Sequence, residues 1–134
     1  MSVQEKLETL KDLDGFKGVA VFTPRGELLA GIQSPDSDVN LKDAGVLANN
    51  VLLNAQKAAL EMGAGRGQLI QIDAQKTQLI VRCLNEGSHP LECEPGHTHI
   101  HMVLALDHAT SVGMAERSIN QVIAKLADDF RPPA

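Results

Sequence analysis

The residues with the richest chemistry are two cysteines and a run of histidines in the C-terminal half of the chain. The segment "GHTHIHMVLAL" places His97, His99 and His101 at alternate positions, and Cys83 and Cys93 precede it. Alternate residues of a strand share a face, so the three histidines would lie on one side and Ile100, Met102 and the later aliphatic residues on the other, in the core. A catalytic histidine triad, a metal site and a strand with a His-rich outer face are the interpretations to compare.

The spacing limits how these residues could hold a metal. A strand rises about 3.3 Å per residue, which separates the α-carbons of His97 and His101 by roughly 13 Å, whereas nitrogen ligands lie about 2.0–2.1 Å from Zn²⁺. At most two neighbouring histidines can share an ion. An antiparallel hairpin would bring both cysteines toward the histidines, so Cys83, Cys93, His97 and His99 form a candidate Cys₂His₂ set for zinc or another transition metal. The alternative is a surface-facing polar strand start beside two thiols, with no cofactor.

The stretch "HTHIHMV" also resembles the signature of histidine-triad nucleotide hydrolases over seven residues. The resemblance implies that His99, the middle histidine, attacks an α-phosphate. Thr98 stands where that signature has an apolar residue, and the family's upstream segment rich in Asn, Gly and Gln is absent. The chain offers no nucleophile together with a base and an orienting group, so we predict a protein that is not an enzyme.

Composition excludes several classes of function. The chain has 134 residues, 43% of them apolar, which predicts one domain over residues 1–134 with a single core. Twelve basic and 17 acidic residues leave a net charge of -5 and no basic stripe, so nucleic acid is not an expected partner. No apolar run approaches the roughly 20 residues that span a bilayer, and the N-terminus is polar, so we expect a cytoplasmic protein without membrane insertion.

Periodicity and turn residues predict the elements that position these side chains. Ser2 and Glu5 have capping-box spacing at the start of a short helix. "FKGVAVF" and "ELLAGI" flank the turn "TPRG" as one hairpin, and "GQLIQID" and "TQLIVRCL" form a second. A long helix over residues 41–62 separates the hairpins, and a fifth strand, "HTHIHMVLAL", precedes a closing helix over residues 112–130. The order αββαβββα predicts an α+β fold with one antiparallel sheet covered by helices.

The long second helix carries apolar residues outside its expected core face. On a helical wheel one broad arc is predicted to face the sheet: Leu41, Ala44, Leu47, Ala48, Val51, Leu52, Ala55, Ala58, Ala59 and Met62. Val46, Leu53 and Leu60 lie elsewhere, seven residues apart among polar side chains, and exposing each forgoes about 1.5–3 kcal/mol relative to full burial. Such a repeat is typical of a helix–helix seam, so Val46, Leu53 and Leu60 are the predicted homodimer or partner interface. Cover by another part of the same chain is the alternative.

Three segments resemble the Roadblock/dynein light chain family, which includes bacterial gliding-motility GTPase regulators. They are "FKGVAVFTPRGELLAG", "GRGQLIQIDAQKTQLIVRCL" and "MVLALDHATSVGMAERSINQVIAKLADDF", and the resemblance runs from about residue 3 to residue 130. It implies a profilin-like sandwich with five antiparallel strands, homodimers formed through the second helix and third strand, and a scaffolding or regulatory role toward Ras-like GTPases. The segment from Asn85 to Gly96 and the Cys/His cluster depart from the family pattern. They suggest a specialised branch, for which a metal- or redox-responsive sensor is the alternative function.

Overall fold

A computed structural model describes residues 2–35, 37, 39–65, 67–84, 100–107 and 112–126. Within these residues the chain forms three α-helices, a short 3₁₀ turn over Thr9–Asp12 and five β-strands. None of the described helices is long and apolar enough to cross a membrane. The helices and strands are α1 (Val3–Glu8), β1 (Phe16–Phe22), β2 (Leu28–Gln33), α2 (Gly45–Glu61), β3 (Leu69–Asp73), β4 (Thr77–Cys83), β5 (His101–Asp107) and α3 (Val112–Leu126).

The five strands form one antiparallel sheet in the order β2-β1-β5-β4-β3. The last strand of the chain therefore lies at the centre of the sheet, between β1 and β4, and joins the two hairpins. The predicted α+β fold class and element order are confirmed. β2 and β3 are the two edge strands.

The two faces of the sheet support separate apolar clusters, so the domain has three layers. Helices α1 and α3 and the 3₁₀ turn cover one face. Helix α2 and the segment that precedes it cover the other. On β5, Met102 and Leu104 face the first layer, whereas Val103 and Ala105 face α2. Every residue of β5 except the last is buried, because helices cover both of its faces.

Local sequence chemistry accounts for most of the element boundaries. Ser2 caps α1, and its Oγ accepts a hydrogen bond from the Glu5 backbone N–H at 3.1 Å, as the capping-box spacing predicts. In the first hairpin the Gly26 N–H donates to the Thr23 carbonyl at 2.9 Å and closes the predicted turn. In the second, the Ala74 N–H donates to the Thr77 carbonyl at 3.2 Å. Both predicted hairpins are confirmed.

The N-terminus of α2 differs from the sequence prediction, whereas its C-terminus agrees with it. The helix begins at Gly45, four residues after Leu41, which is buried in the preceding segment and packs against the α2-side cluster. Its C-terminus is where the glycines predicted it. Gly63 has a φ of 80°, and the Ala64 N–H donates to the Ala59 carbonyl at 2.9 Å, which satisfies one of the last carbonyls of the helix.

Candidate interaction surface on helix α2

The side of α2 that faces the sheet differs from the predicted one. Its buried residues follow helical spacing and include two amides: Gly45, Ala48, Asn49, Leu52 and Gln56. Of the predicted arc, Leu41, Ala48 and Leu52 are buried as predicted. The prediction was wrong for Leu47, Val51, Ala58 and Met62, which are exposed. A wheel centred on aliphatic residues is rotated away from the true core face because polar residues occupy part of that face.

The exposed side of α2 therefore carries more apolar surface than the sequence prediction assigned to it. Leu47 is 69% exposed, Met62 81%, Val46 55% and Leu60 58%. At 100° per residue these side chains form two stripes on opposite flanks of the helix. We call them the Leu47 stripe, which contains Leu47, Val51, Ala58 and Met62, and the Leu60 stripe, which contains Val46, Leu53 and Leu60.

A polar ridge runs along the helix between the two stripes. It consists of Asn50, Asn54, Lys57 and Glu61, all exposed. The ridge has one positive and one negative charge, so the electrostatic potential of this face is neither strongly positive nor strongly negative. A partner for either stripe would therefore be recognised mainly through apolar contact. The sequence predicted exposure of Val46 and Leu60 correctly, while Leu53 is half-buried.

The N-terminus of α2 is fixed on the sheet by close packing and by a buried histidine. A Cβ added at Gly45 would collide with the Gly26 carbonyl oxygen of the β1–β2 turn. The Nε2–H of His101 donates to the Gly45 carbonyl at 3.1 Å, and the His101 ring stacks on Phe22 with centroids 5.6 Å apart. The turn, the helix start and two strands meet here, so the orientation of α2 is set at its first residue.

This position of His101 corrects the sequence prediction. His101 was expected on a solvent-facing side of its strand, but it is fully buried. The reason is topological, because β5 is the central strand and α2 covers the face on which His101 lies. The prediction that the residues alternating with the histidines face the core is confirmed for Met102, Leu104 and Leu106, which are buried in the opposite layer.

The candidate metal set is only partly within the described residues. Cys83 is buried on the α2 side and is the cross-strand partner of His101. Cys93, His97 and His99 lie outside the described residues. Among the residues that the structure does describe, no three His, Cys, Asp or Glu side chains come together as a metal site would require. The Cys83, Cys93, His97 and His99 set therefore remains a prediction.

The two edge strands of the sheet differ in how far other parts of the chain cover them. Helix α1 packs on β2, and the Gln4 Nε2–H donates to the Gly31 carbonyl at 3.0 Å, which satisfies an outward-facing group of that edge. At the other edge, none of the described strands pairs with the outer side of β3. An uncovered edge strand can pair with a strand of another chain. Among the described residues, β3 is thus the edge strand whose outer side no other strand covers.

Comparison of the sequence with protein families and with curated proteins finds nothing similar. No protein-family model matches, and no curated protein matches. The three-layer architecture, by contrast, closely matches solved structures. An MglB in a tetrameric arrangement has a TM-score of 0.75 and 19% identity, over 94% of this chain and 85% of that one. The gliding protein MglB of Thermus thermophilus has a TM-score of 0.74 and 19% identity, over 94% and 86%.

A Roadblock/LC7 domain from Streptomyces avermitilis matches over nearly the whole of both chains. Its TM-score is 0.75 at 11% identity, over 97% of this chain and 98% of that one. The chain has the Roadblock/LC7 fold. The family resemblance read from three sequence segments is therefore confirmed at the level of the fold. The resemblance implies homodimer formation through α2 and β3. Among the described residues, α2 carries several exposed apolar side chains and β3 is an edge strand.

Proposed function

We propose that this protein is a homodimeric, non-catalytic scaffold that docks or regulates a small Ras-like GTPase in the cytoplasm. The observation that carries the proposal is the exposed apolar surface on both flanks of α2. A helix that only covered its own sheet would have no reason to leave leucine and methionine side chains more than half exposed on both flanks. The likeness to MglB, a gliding protein, and to a Roadblock/LC7 domain supports the regulatory role.

The Leu47 stripe is assigned to the contact between the two copies. It contains Leu47, the most exposed large apolar residue of α2, and Met62, which directly follows the helix and is more exposed still. Ala58, and the half-buried Ala55 beside the stripe, are small enough to let a second helix approach closely. Together with pairing at the β3 edge, this contact would join two domains through both a helix face and a sheet edge.

The Leu60 stripe is assigned to the partner protein. It lies on the opposite flank of α2, beyond the polar ridge, so a dimer that covers Leu47 leaves Leu60 accessible. Two copies of this stripe on one dimer would give a partner a composite apolar surface. The sequence-derived interface of Val46, Leu53 and Leu60 is thus kept as a binding surface, with the GTPase as its occupant.

Single charges placed on each stripe test the two assignments separately. We expect Leu47→Asp to convert the dimer to a monomer, because a carboxylate would have to be buried against apolar side chains without a partner. Leu60→Asp should leave the dimer intact and abolish binding to the organism's Ras-like GTPases, loaded with GDP or with a non-hydrolysable GTP analogue. Native mass spectrometry reads the first effect and calorimetric titration the second.

The matched control is Asn54→Asp, which adds the same charge to the polar ridge of the same helix. It should change neither the subunit count nor GTPase binding. A Leu47→Asp protein that remains dimeric would refute the assigned seam. Wild-type dimers that bind none of the GTPases in either nucleotide state would refute the proposed partner class.

A metal-responsive role is the second candidate function. The observation that favours it is that Cys83 lies directly opposite His101, the first residue of β5, and His97 and His99 closely precede His101 in the sequence. The proposed ligands remain Cys83, Cys93, His97 and His99, with zinc as the expected ion.

Metal content under reducing conditions tests this second role. If the cluster binds zinc, the untagged protein carries one ion per chain, and Cys93→Ser loses it together with part of its thermal stability. Because a bound ion stabilises only the folded state, added chelator should lower the melting temperature of the wild type and not that of the variant. A wild-type protein without metal, whose melting temperature is insensitive to zinc and chelator, would exclude the role.

A further inference from the structure

The three methionines among the described residues differ widely in their exposure to solvent. Met102 is fully buried in the sheet, Met114 is 63% exposed near the start of α3, and Met62 is 81% exposed directly after α2. Peroxides oxidise a methionine thioether to a sulfoxide where they can reach the sulfur. Of these three residues, Met62 is therefore the most accessible to an oxidant.

The backbone around Met62 is held by hydrogen bonds that do not involve its side chain. The Met62 N–H donates to the Ala58 carbonyl at 3.0 Å, and the Gly63 N–H donates to the Leu60 carbonyl at 3.1 Å. These bonds close the last turn of α2, and the left-handed conformation of Gly63 ends the helix. An oxygen atom added to the exposed sulfur therefore leaves the fold unchanged and alters only the surface that Met62 presents.

We infer that oxidation of Met62 by a peroxide weakens the assembly of two copies of this chain. The inference rests on the proposed homodimer, because Met62 forms one end of the Leu47 stripe assigned to its seam. Hydrogen peroxide transfers one oxygen to the sulfur as the O–O bond breaks, so the thioether is oxidised to a sulfoxide and the peroxide is reduced to water. Methionine sulfoxide reductases reverse the step.

The side chains of the stripe explain why a sulfoxide weakens the contact. The thioether is apolar, whereas the sulfoxide is polar and accepts hydrogen bonds. Leu47, Val51 and Ala58, the other members of the stripe, have no side-chain donor. Burial of the sulfoxide against a second copy of this surface removes it from water without a replacement hydrogen bond. Because the second copy covers Met62, assembly should in turn slow the oxidation of Met62.

Peroxide treatment followed by native mass spectrometry tests the inference. The wild-type protein is treated with hydrogen peroxide and then with dithiothreitol, which reverses disulfides but not sulfoxides. Oxidation should raise the dissociation constant of the dimer at least about tenfold. Met62→Leu keeps a side chain of similar volume without sulfur, so it should stay dimeric after the same treatment. Met114→Leu is the matched control, because α3 covers the opposite face of the sheet, and it should respond like the wild type.

Peptide mapping identifies which methionines have gained an oxygen atom. The comparison uses peroxide exposures at which Met102 is unoxidised, because a peroxide reaches that sulfur only when the fold opens. Met62 should react more slowly at concentrations where the protein is dimeric than in dilute protein. The rate at Met114 should not depend on concentration. Met62→Gln, which carries a polar amide near the position of the sulfoxide, should weaken the dimer without peroxide.

The outcomes separate the oxidation effect from the homodimer. A wild-type dimer whose dissociation constant is unchanged although Met62 is oxidised overturns the inference and leaves the homodimer standing. Equal loss of the dimer in peroxide-treated Met62→Leu also overturns the inference, because another group would then be responsible. A Met62→Gln dimer as tight as the wild type contradicts it as well. A single-chain mass before peroxide is added overturns both the inference and the homodimer.

Discussion

Gly45→Ala is expected to destabilise the fold by about 3 kcal/mol, although the substitution favours helix formation in isolation. Alanine is better than glycine inside a helix by about 1 kcal/mol. At Gly45, however, the added methyl group would collide with the Gly26 carbonyl oxygen and crowd the Phe22 ring. The colliding atom belongs to the backbone of a closed turn, so relief requires α2 to move off the sheet. The free-energy cost of the collision therefore exceeds the gain in helix propensity.

Gly113→Ala is the matched control for this prediction. Gly113 also lies in the first turn of a helix, but a Cβ there meets no described residue within 4 Å. That substitution should stabilise the protein by about 0.5–1 kcal/mol. Urea unfolding of both variants measures the difference. Equal stabilisation by the two alanines would mean that the turn and the helix start are not in contact.

Leu52→Ala is expected to lower the free energy of unfolding by about 2–5 kcal/mol. Leu47→Ala should lower it by less than about 0.5 kcal/mol in the isolated chain. Both residues fall in the arc that the sequence assigns to the core. Leu52 is fully buried on the side of α2 that faces the sheet, whereas Leu47 is more than two-thirds exposed. Truncation of Leu52 leaves a cavity against β4 and β5, and truncation of Leu47 removes only surface.

Dilution separates the contribution of each leucine to the fold from its contribution to assembly. Partner binding stabilises the folded state in a concentration-dependent way. The Leu52→Ala deficit should persist at every protein concentration in chemical denaturation. The Leu47→Ala deficit should be seen only at concentrations where the wild type is dimeric. Equal deficits for the two variants in dilute protein would contradict the orientation of α2.

The features that could be predicted from the sequence are mostly those that depend on residues close together in the chain. The capping box at Ser2 and the turns at Gly26 and Ala74 involve neighbours in the chain, so their geometry follows from short segments. Five apolar segments and a 3.6-residue pattern were then sufficient for element order and fold class. The C-terminal end of α2 was equally predictable, because the left-handed conformation at Gly63 favours glycine.

The orientation of α2 and the burial of His101 were not predictable in the same way. Asn49 and Gln56 are polar but buried on the side of α2 that faces the sheet, so a hydrophobicity pattern could not place them there. The Gln56 Nε2 has no hydrogen-bond partner among the described residues. His101 is buried because its strand is inserted between the two hairpins, which is a property of the whole topology. A signal that could have identified it is the pair of glycines, Gly26 and Gly45, whose missing side chains allow a turn and a helix to meet above it.

The subunit count of the wild-type protein tests the central claim most directly. Each chain has a mass of 14.3 kDa. Native mass spectrometry of untagged, reduced protein over a dilution series should show twice that mass as the dominant species, dissociating to single chains on dilution. A single-chain mass at every concentration would contradict the account, because α2 and the β3 edge would then be exposed without a second copy to cover them.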